Sequence, residues 1–403
     1  MLIFSSFLAF YLAWNLGAND VANSMGTSVG SKAVTLKQAL IIAGILEFAG
    51  AVGFGQAVSK QLIVGVVDLK RFVHDPQILL IGMISVLIAA GIWLNVATVL
   101  GFPVSSSHAT VGAIAGIGCV AFGIDAVQWR SLLWISMTWI VTPIVSSAIA
   151  AIFYSLIQRW ILNQSDVMRA LRDWIPWLSA ALIGIFGVIV LPVLSQPIQT
   201  VVSQQFGFPA HDVPLLIGSF SAIALSLYAW QKLDAPESTF ARFQIISACF
   251  VAFAHGSNDV GNAIAPFAAV VYIAQTGTVP IEAFNIPVWI LALGGAGIVA
   301  GLAVLGKNVI ATIGEGIIDL KPSGGFCAEL ATATTILIAS RFGLPVSTSH
   351  ALVGAVVGVG LIQNAKSIQL QTLKSIALTW LGTIPIAASL SSVVFVLARS
   401  LFG

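Results

Sequence analysis

Apolar runs of about 20 residues recur along this chain, among them Ile78 to Leu100, Leu132 to Ile157, Ile175 to Leu194 and Ile376 to Leu397. As helix, each run is long enough to span about 30 Å of hydrocarbon. The runs are apolar on every face, whereas a transmembrane barrel strand alternates polarity over about 10 residues. A composition of 58% hydrophobic and 8% charged residues over 403 positions, with a mean hydropathy of +1.01, excludes an ordinary soluble domain. The expected fold class is an all-α polytopic membrane protein, its surroundings a lipid bilayer. Met1 to Leu16 lacks a basic leader region and a small-residue cleavage site, so it is read as a retained first span. A net charge of +2 gives no grounds for a nucleic-acid partner. Cys119, Cys249 and Cys327 are scattered, with neither a disulfide framework nor zinc-ligand spacing.

Two motifs occur twice, in the same order. Gly17 to Asn23, GANDVAN, returns as Gly256 to Asn262, GSNDVGN, with five of seven positions identical. Phe102 to Gly118, FPVSSSHATVGAIAGIG, returns as Leu344 to Gly360, LPVSTSHALVGAVVGVG, with eleven of seventeen identical. The copies are offset by 239 and 242 residues, and between them Gly55 to Leu69 echoes Gly306 to Leu320. Internal repetition at this scale marks a duplicated architecture. The division expected is a first repeat over 1–125, connecting transmembrane helices over 126–239, a second repeat over 240–365 and a C-terminal transmembrane helix over 366–403.

Hydropathy suggests about 10 to 12 spans. Helices over 2–30 and 243–273 are each expected to break at the NDV motif, and 103–122 and 345–362 either cross or re-enter. The loop Gln158 to Trp174 carries Arg159, Arg169 and Arg172, against no Lys or Arg in Ser195 to Asp212, and is therefore expected on the cytoplasmic side. Alternating from there inverts the halves relative to one another, and leaves Lys60, Lys70 and Arg71 outside, against the positive-inside rule.

A carboxylate at membrane depth costs several kcal/mol unless it is paired or lines a polar cavity, so Asp20 and Asp259 stand out. Asn19 and Asn23, like Asn258 and Asn262, are four apart and share a helical face beside the aspartate. Such hard oxygens suit Na⁺, Mg²⁺ or Ca²⁺. Capping of a broken helix is the plainer role for Asn and Asp, but it does not require both amides in two copies. In the second motif pair, proline sets the turn, and Ser105, Ser106 and Ser107, with Ser347, Thr348 and Ser349, occupy the N-cap and first turn of a helix. Free amides and the positive dipole end there suit a phosphate-like anion. The glycines that follow serve helix packing.

His108 and His350 follow the serines and can donate to an anion, take a proton, or tie the helix start to a neighbour. His255 precedes the second NDV motif where Leu16 precedes the first, so it lies outside the symmetric core. Glu47 and Glu329 are further carboxylates at membrane depth, each without an acidic counterpart, and are candidates for cation coordination or proton relay. An intramembrane serine hydrolase built on Ser107 or Ser349 does not follow, because a histidine adjacent to a serine in one turn is not thereby its base, and a nucleophile needs no duplicate.

These residues resemble the PiT family of inorganic phosphate transporters, whose hallmark is a GANDVAN and G(S/G)NDVxN pair with duplicated PVSxxH segments. The resemblance covers both halves and the PSGGFCAEL stretch at Pro322 to Leu330; Gly261 departs from the alanine more usual there. It implies secondary active uptake of phosphate coupled to Na⁺ or H⁺, two inverted repeats, and alternating access of a midplane site in the cell (plasma) membrane. Its further implications are that the serine and threonine hydroxyls and helix starts bind phosphate and the NDV residues bind cations; Glu47 and Glu329 are added to the cation set from the residue reading above. The family also contains sulfate permeases. The expectation is a transporter and not an enzyme, with bound Na⁺ and phosphate, no cofactor, and room for a homodimer.

Overall fold

The computed structural model describes the chain except residues 207–208, 210, 283, 315–316 and 403, with side chains also left undescribed at 197, 205–206, 307–314 and 402. The expected echo of Gly55 to Leu69 in Gly306 to Leu320 therefore lies partly outside the described residues. Helices account for nearly all of the described chain: α1 (Leu2–Gly30), α2 (Leu36–Phe54), α3 (Gln56–Gly65), α4 (Pro76–Val99), α5 (Ser106–Phe122), α6 (Trp129–Ile157) and α7 (Val167–Leu194). They continue as α8 (Gln196–Phe206), α9 (Asp212–Gln231), α10 (Pro236–Thr276), α11 (Val288–Gly314), α12 (Pro322–Arg341), α13 (Thr348–Asn364) and α14 (Leu370–Phe402). Eight of the helical segments are long and apolar enough to cross a membrane. α10 falls outside that set despite its 41 residues, because the polar NDV region lowers its hydropathy.

The break expected at the NDV motifs is absent: α1 and α10 run through them without interruption. The asparagine amides bond to side chains and to carbonyls of other segments, so nothing competes with the helical ladder at these positions. The breaks lie instead at Gly101-Phe102-Pro103 and Gly343-Leu344-Pro345. Gly101 and Gly343 take left-handed φ values of 71° and 68°. Around them Phe102 N–H bonds to Ala97 O and Gly101 N–H to Thr98 O, and Leu344 N–H to Ala339 O and Gly343 N–H to Ser340 O. That is the Schellman closure, which only glycine adopts without strain, and the proline that follows prevents the old helix from resuming.

Each closure is the tip of a re-entrant hairpin. The end of α5 returns to where α4 begins, since Val67 bridges Val127 and Asp68 N–H bonds to Ala126 O. The end of α13 returns likewise to the start of α12, with Gln369 N–H on Ile317 O and Gln363 Nε2 on Asp319 O. Segments 103–122 and 345–362 therefore re-enter. The halves are inverted as expected: Ser31, just past the end of α1, donates to Gln244 near the start of α10 at 2.8 Å, so the two NDV helices run in opposite directions.

The equivalence of the halves extends past the expected repeat segments. Gly354 of α13 lies against the backbone of Pro143 in α6, and Gly112 of α5 against that of Ile384 in α14. Positions 143 and 384 are 241 residues apart, within two of both motif offsets, and Thr138-Trp139 and Thr379-Trp380 repeat at the same 241-residue spacing. Each hairpin thus packs on a helix contributed by the other half, which locks the two repeats together. The small residues at these crossings let backbones approach closely where no aqueous hydrophobic effect drives association.

Candidate functional site

Asn19 of α1 donates to Thr98 Oγ1 at 3.0 Å and to Phe102 O at 3.2 Å, pinning the first hairpin tip to the NDV helix. Asn258 of α10 repeats this on Ser340 Oγ at 3.0 Å and Leu344 O at 3.2 Å. The first asparagine of each motif therefore places the adjacent PVSxSH turn. Thr98 and Ser340, which the motif comparison overlooked, sit at the hairpin tips four residues before Phe102 and Leu344. Their equivalent positions beside the Schellman glycines are the signal that could have found them.

The last asparagine of each motif reaches into the other half. Asn23 Nδ2 donates to Thr348 Oγ1 at 3.3 Å, and Asn262 Nδ2 to Ser106 Oγ at 3.3 Å and Ser107 Oγ at 3.1 Å. Thr348 in turn donates to Asp259 Oδ2 at 2.8 Å. The four motifs, separated by up to 325 residues, form one buried constellation. Within it, Ser105 and Ser347 are N-caps, each accepting the N–H of the following histidine at 3.3 Å. The first-turn amides of Ser106, Ser107, Thr348 and Ser349 lack intrahelical acceptors by helix geometry. Ser107 also donates to Val346 O at 2.8 Å, and Ser349 lies 2.9 Å from Ser347 Oγ.

Asp20, His255 and Asp259 each present a ligand atom within 4.8 Å of the others. His255 Nε2 lies 2.9 Å from Asp259 Oδ2 and Nδ1 lies 3.2 Å from Glu47 Oε1, so the imidazole joins α10 to α2. Glu47 also accepts from Ser24 at 2.8 Å. Among the described residues, Asn19 Oδ1, Asp20 Oδ2, Asn258 Oδ1 and Asn262 Oδ1 are buried with no hydrogen-bond donor. Unpaired buried acceptors are costly in a membrane interior. Three amide oxygens with the carboxylates of Asp20 and Asp259 make a donor set suited to a hard monovalent or divalent cation.

Glu329 is not brought to either aspartate. Its Oε1 accepts from Thr27 at 2.7 Å, Ser28 at 2.6 Å and Gln244 at 3.1 Å, and its Oε2 from Ser247 at 2.8 Å. That cluster ties α12 to α1 and α10. His108 and His350 face each other with ring centroids 4.9 Å apart, packed on Trp139 and Trp380 respectively. His108 Nδ1 lies 3.1 Å from Trp380 O, and among the described residues no hydrogen bond joins either ring to an NDV residue. The unpaired residues of the sequence are asymmetric in space as well: the backbone of Glu47 meets Gly256 where that of Ile298 meets Gly17, so glutamate on one side faces isoleucine on the other.

A phosphate transporter family model matches residues 16–391. The chloroplastic inorganic phosphate transporter 2-1 of Arabidopsis thaliana is 39% identical over 95% of this chain and 69% of its own length. A Pyrococcus abyssi protein provisionally named a phosphate permease is 39% identical over 98% of this chain and 97% of its own. Among solved structures, one titled the sodium-dependent phosphate transporter superposes with a TM-score of 0.88 at 37% identity, covering 100% of this chain and 99% of that one. Matched over residues 16–391 by a family of transporters rather than enzymes, and folded as an integral, multi-pass membrane protein, this chain belongs to the phosphate transporter family.

Proposed function

We propose that the chain imports inorganic phosphate with Na⁺ by alternating access of the constellation between the two NDV helices. The observation that carries this reading is the cross-half bonding of Asn23 to Thr348 and of Asn262 to Ser106 and Ser107, which sets two helix N-termini beside two carboxylates. Helix starts with free amides suit a tetrahedral dianion. The oxygens of Asn19, Asp20, Asn258, Asp259 and Asn262 suit Na⁺, whose charge offsets both the dianion and the aspartates. Cation and anion then occupy one site, and each makes binding of the other electrically favourable. Rocking of one repeat against the other exposes that site to each side in turn.

The sodium-dependent neighbour supports Na⁺ as the coupling ion. His255, held between Glu47 and Asp259, favours H⁺ as a second reading, because an imidazole serves two carboxylates at once only with both ring nitrogens protonated. Uptake of labelled phosphate into proteoliposomes, with an inward Na⁺ gradient and with a proton gradient alone, separates the two. Uptake that follows the Na⁺ gradient and resists excess sulfate is expected. Uptake indifferent to Na⁺ removes the coupling assignment, and sulfate competition at equal concentration removes the substrate assignment.

Thr348→Val keeps the shape of the site and deletes a hydroxyl that touches both Asn23 and Asp259. Hydrogen bonds to charged groups contribute about 1.5–3 kcal/mol, so the KM for phosphate should rise by roughly tenfold or more. A KM within twofold of the wild-type value would mean that the anion binds elsewhere.

A further inference from the structure

The orientation set by the arginine-bearing loop Gln158 to Trp174 leaves Lys60, Lys70 and Arg71 on the outer face, and the fold adds Arg130 there, at the start of α6. Two of these cations have partners: Lys60 Nζ donates to Asn285 at 2.9 Å, and Arg71 lies 3.8 Å from Asp68. Among the described residues, no carboxylate lies within 4.0 Å of the Arg130 guanidinium. Arg130 lines a cavity of about 560 Å³ together with Gln61, Gln128, Ser131, Trp134 and Leu344. One wall of the cavity is Leu344, the hairpin-tip residue whose carbonyl accepts Asn258 Nδ2 of the transport constellation at 3.2 Å. Gln128 spends its amide protons on Val64 O and Val67 O, so it fixes the wall, and the charge of the cavity is Arg130's.

The opposite half shows what this position is without that charge. Gln128 N–H bonds to Val66 O and Gln369 N–H to Ile317 O, the same junction in the two repeats. Two residues further on stand Arg130 and Gln371. A guanidinium therefore stands at this position of the outward junction and an uncharged amide at its inward equivalent, whose nearest cations in sequence are Lys374 and Lys366. Nothing in the packing of the repeats requires this difference, since both side chains are exposed.

We propose that the cavity at Arg130 is a capture vestibule for a tetrahedral dianion on the outer face, one step before the constellation at Asp20 and Asp259. The proposal rests on the phosphate-transport reading above. Arg130 raises the local concentration of the dianion where it enters. The vestibule acts through charge, so its effect on KM weakens as ionic strength rises.

The test is uptake of labelled phosphate by cells expressing the chain, which present the outer face to the medium, with ionic strength varied by choline chloride at constant Na⁺. A unit charge within several ångströms of a dianion in water changes its occupancy by about fivefold. Arg130→Gln installs the residue of the other half, and its KM should rise by about that factor at low ionic strength with the maximal rate per surface molecule unchanged. The wild-type KM should climb with choline chloride, that of Arg130→Gln should stay flat, and Arg130→Lys should behave as wild type. A wild-type KM independent of ionic strength overturns the vestibule whether or not any variant reaches the membrane. A loss of maximal rate at unchanged KM also overturns it, since that marks a structural role. Both results leave phosphate transport standing; wild-type cells that take up no phosphate would overturn both readings together.

Discussion

Replacing Asp20 or Asp259 with asparagine is expected to abolish Na⁺-driven phosphate uptake while the protein still inserts and folds. Each substitution keeps the shape of the side chain and removes one negative charge from a constellation whose unpaired oxygens number Asn19 Oδ1, Asp20 Oδ2, Asn258 Oδ1 and Asn262 Oδ1. Removing one partner of a buried charge interaction costs about 2–5 kcal/mol, a drop of at least about 30-fold in cation affinity. The two variants should differ in one respect. Asp259 also accepts from Thr348 and faces His255, so Asp259→Asn disturbs the second hairpin and the imidazole as well as the cation. Asp20 accepts on Oδ1 from Asn23 of its own helix at 3.1 Å, a bond that an asparagine oxygen can keep, while its Oδ2 has no donor among the described residues, which makes Asp20→Asn the cleaner probe. Na⁺-gradient uptake of labelled phosphate in proteoliposomes, alongside a melting curve of the purified protein, is the measurement. Wild-type uptake by Asp20→Asn would end its assignment as a cation ligand.

The second large effect is expected at Gly256. A Cβ there overlaps the backbone of Glu47, and the neighbouring crossing at Gly50 is equally close to the backbone of Phe253. Two backbones in contact cannot yield as a flexible side chain does, so α2 and α10 must separate. Overpacking of this kind typically costs about 1–3 kcal/mol, and Gly256→Ala should fall at the upper end of that range. The same movement pulls Glu47 away from His255, so uptake should fall along with stability. Gly53 on the same helix α2 is the control: nothing lies within 4 Å of its would-be Cβ, and Gly53→Ala should be neutral or stabilising by up to about 1 kcal/mol. A melting temperature of Gly256→Ala equal to that of Gly53→Ala would contradict the close crossing.

Much of the architecture was legible in the sequence because it rests on local chemistry. Apolar runs longer than the bilayer is thick allow only helices, since every backbone amide must be satisfied within its own segment. Duplicated motifs with matched offsets allowed only a duplicated fold. Asp20 and Asp259 stood out because a carboxylate inside a membrane needs a reason to be there. The Schellman tips were equally local, in GFPV and GLPV: the proline turn was legible there, while crossing and re-entry stayed open because the tip's own residues do not say on which side the returning helix ends. The break expected at the NDV motifs was the misplaced one.

Other features needed the tertiary structure, for a physical reason common to them all. Asn23 and Thr348 are 325 residues apart, and no local pattern says that the amide of one will meet the hydroxyl of the other. The packing of α5 on α14 and of α13 on α6 exchanges helices between halves, which a repeat boundary drawn from motif identity could not register. Glu47 and Glu329 looked alike in sequence, as single carboxylates in apolar helices. In space, His255 draws Glu47 to the site, while Thr27, Ser28, Gln244 and Ser247 saturate Glu329 apart from it. The sequence by itself determined that this chain is a duplicated helical transporter with acidic, amide-rich and serine-rich motifs. Only the tertiary structure decided that those motifs cross between the halves into one site, because hydrogen bonds between distant segments depend on how helices cross and not on any residue's neighbours in the chain.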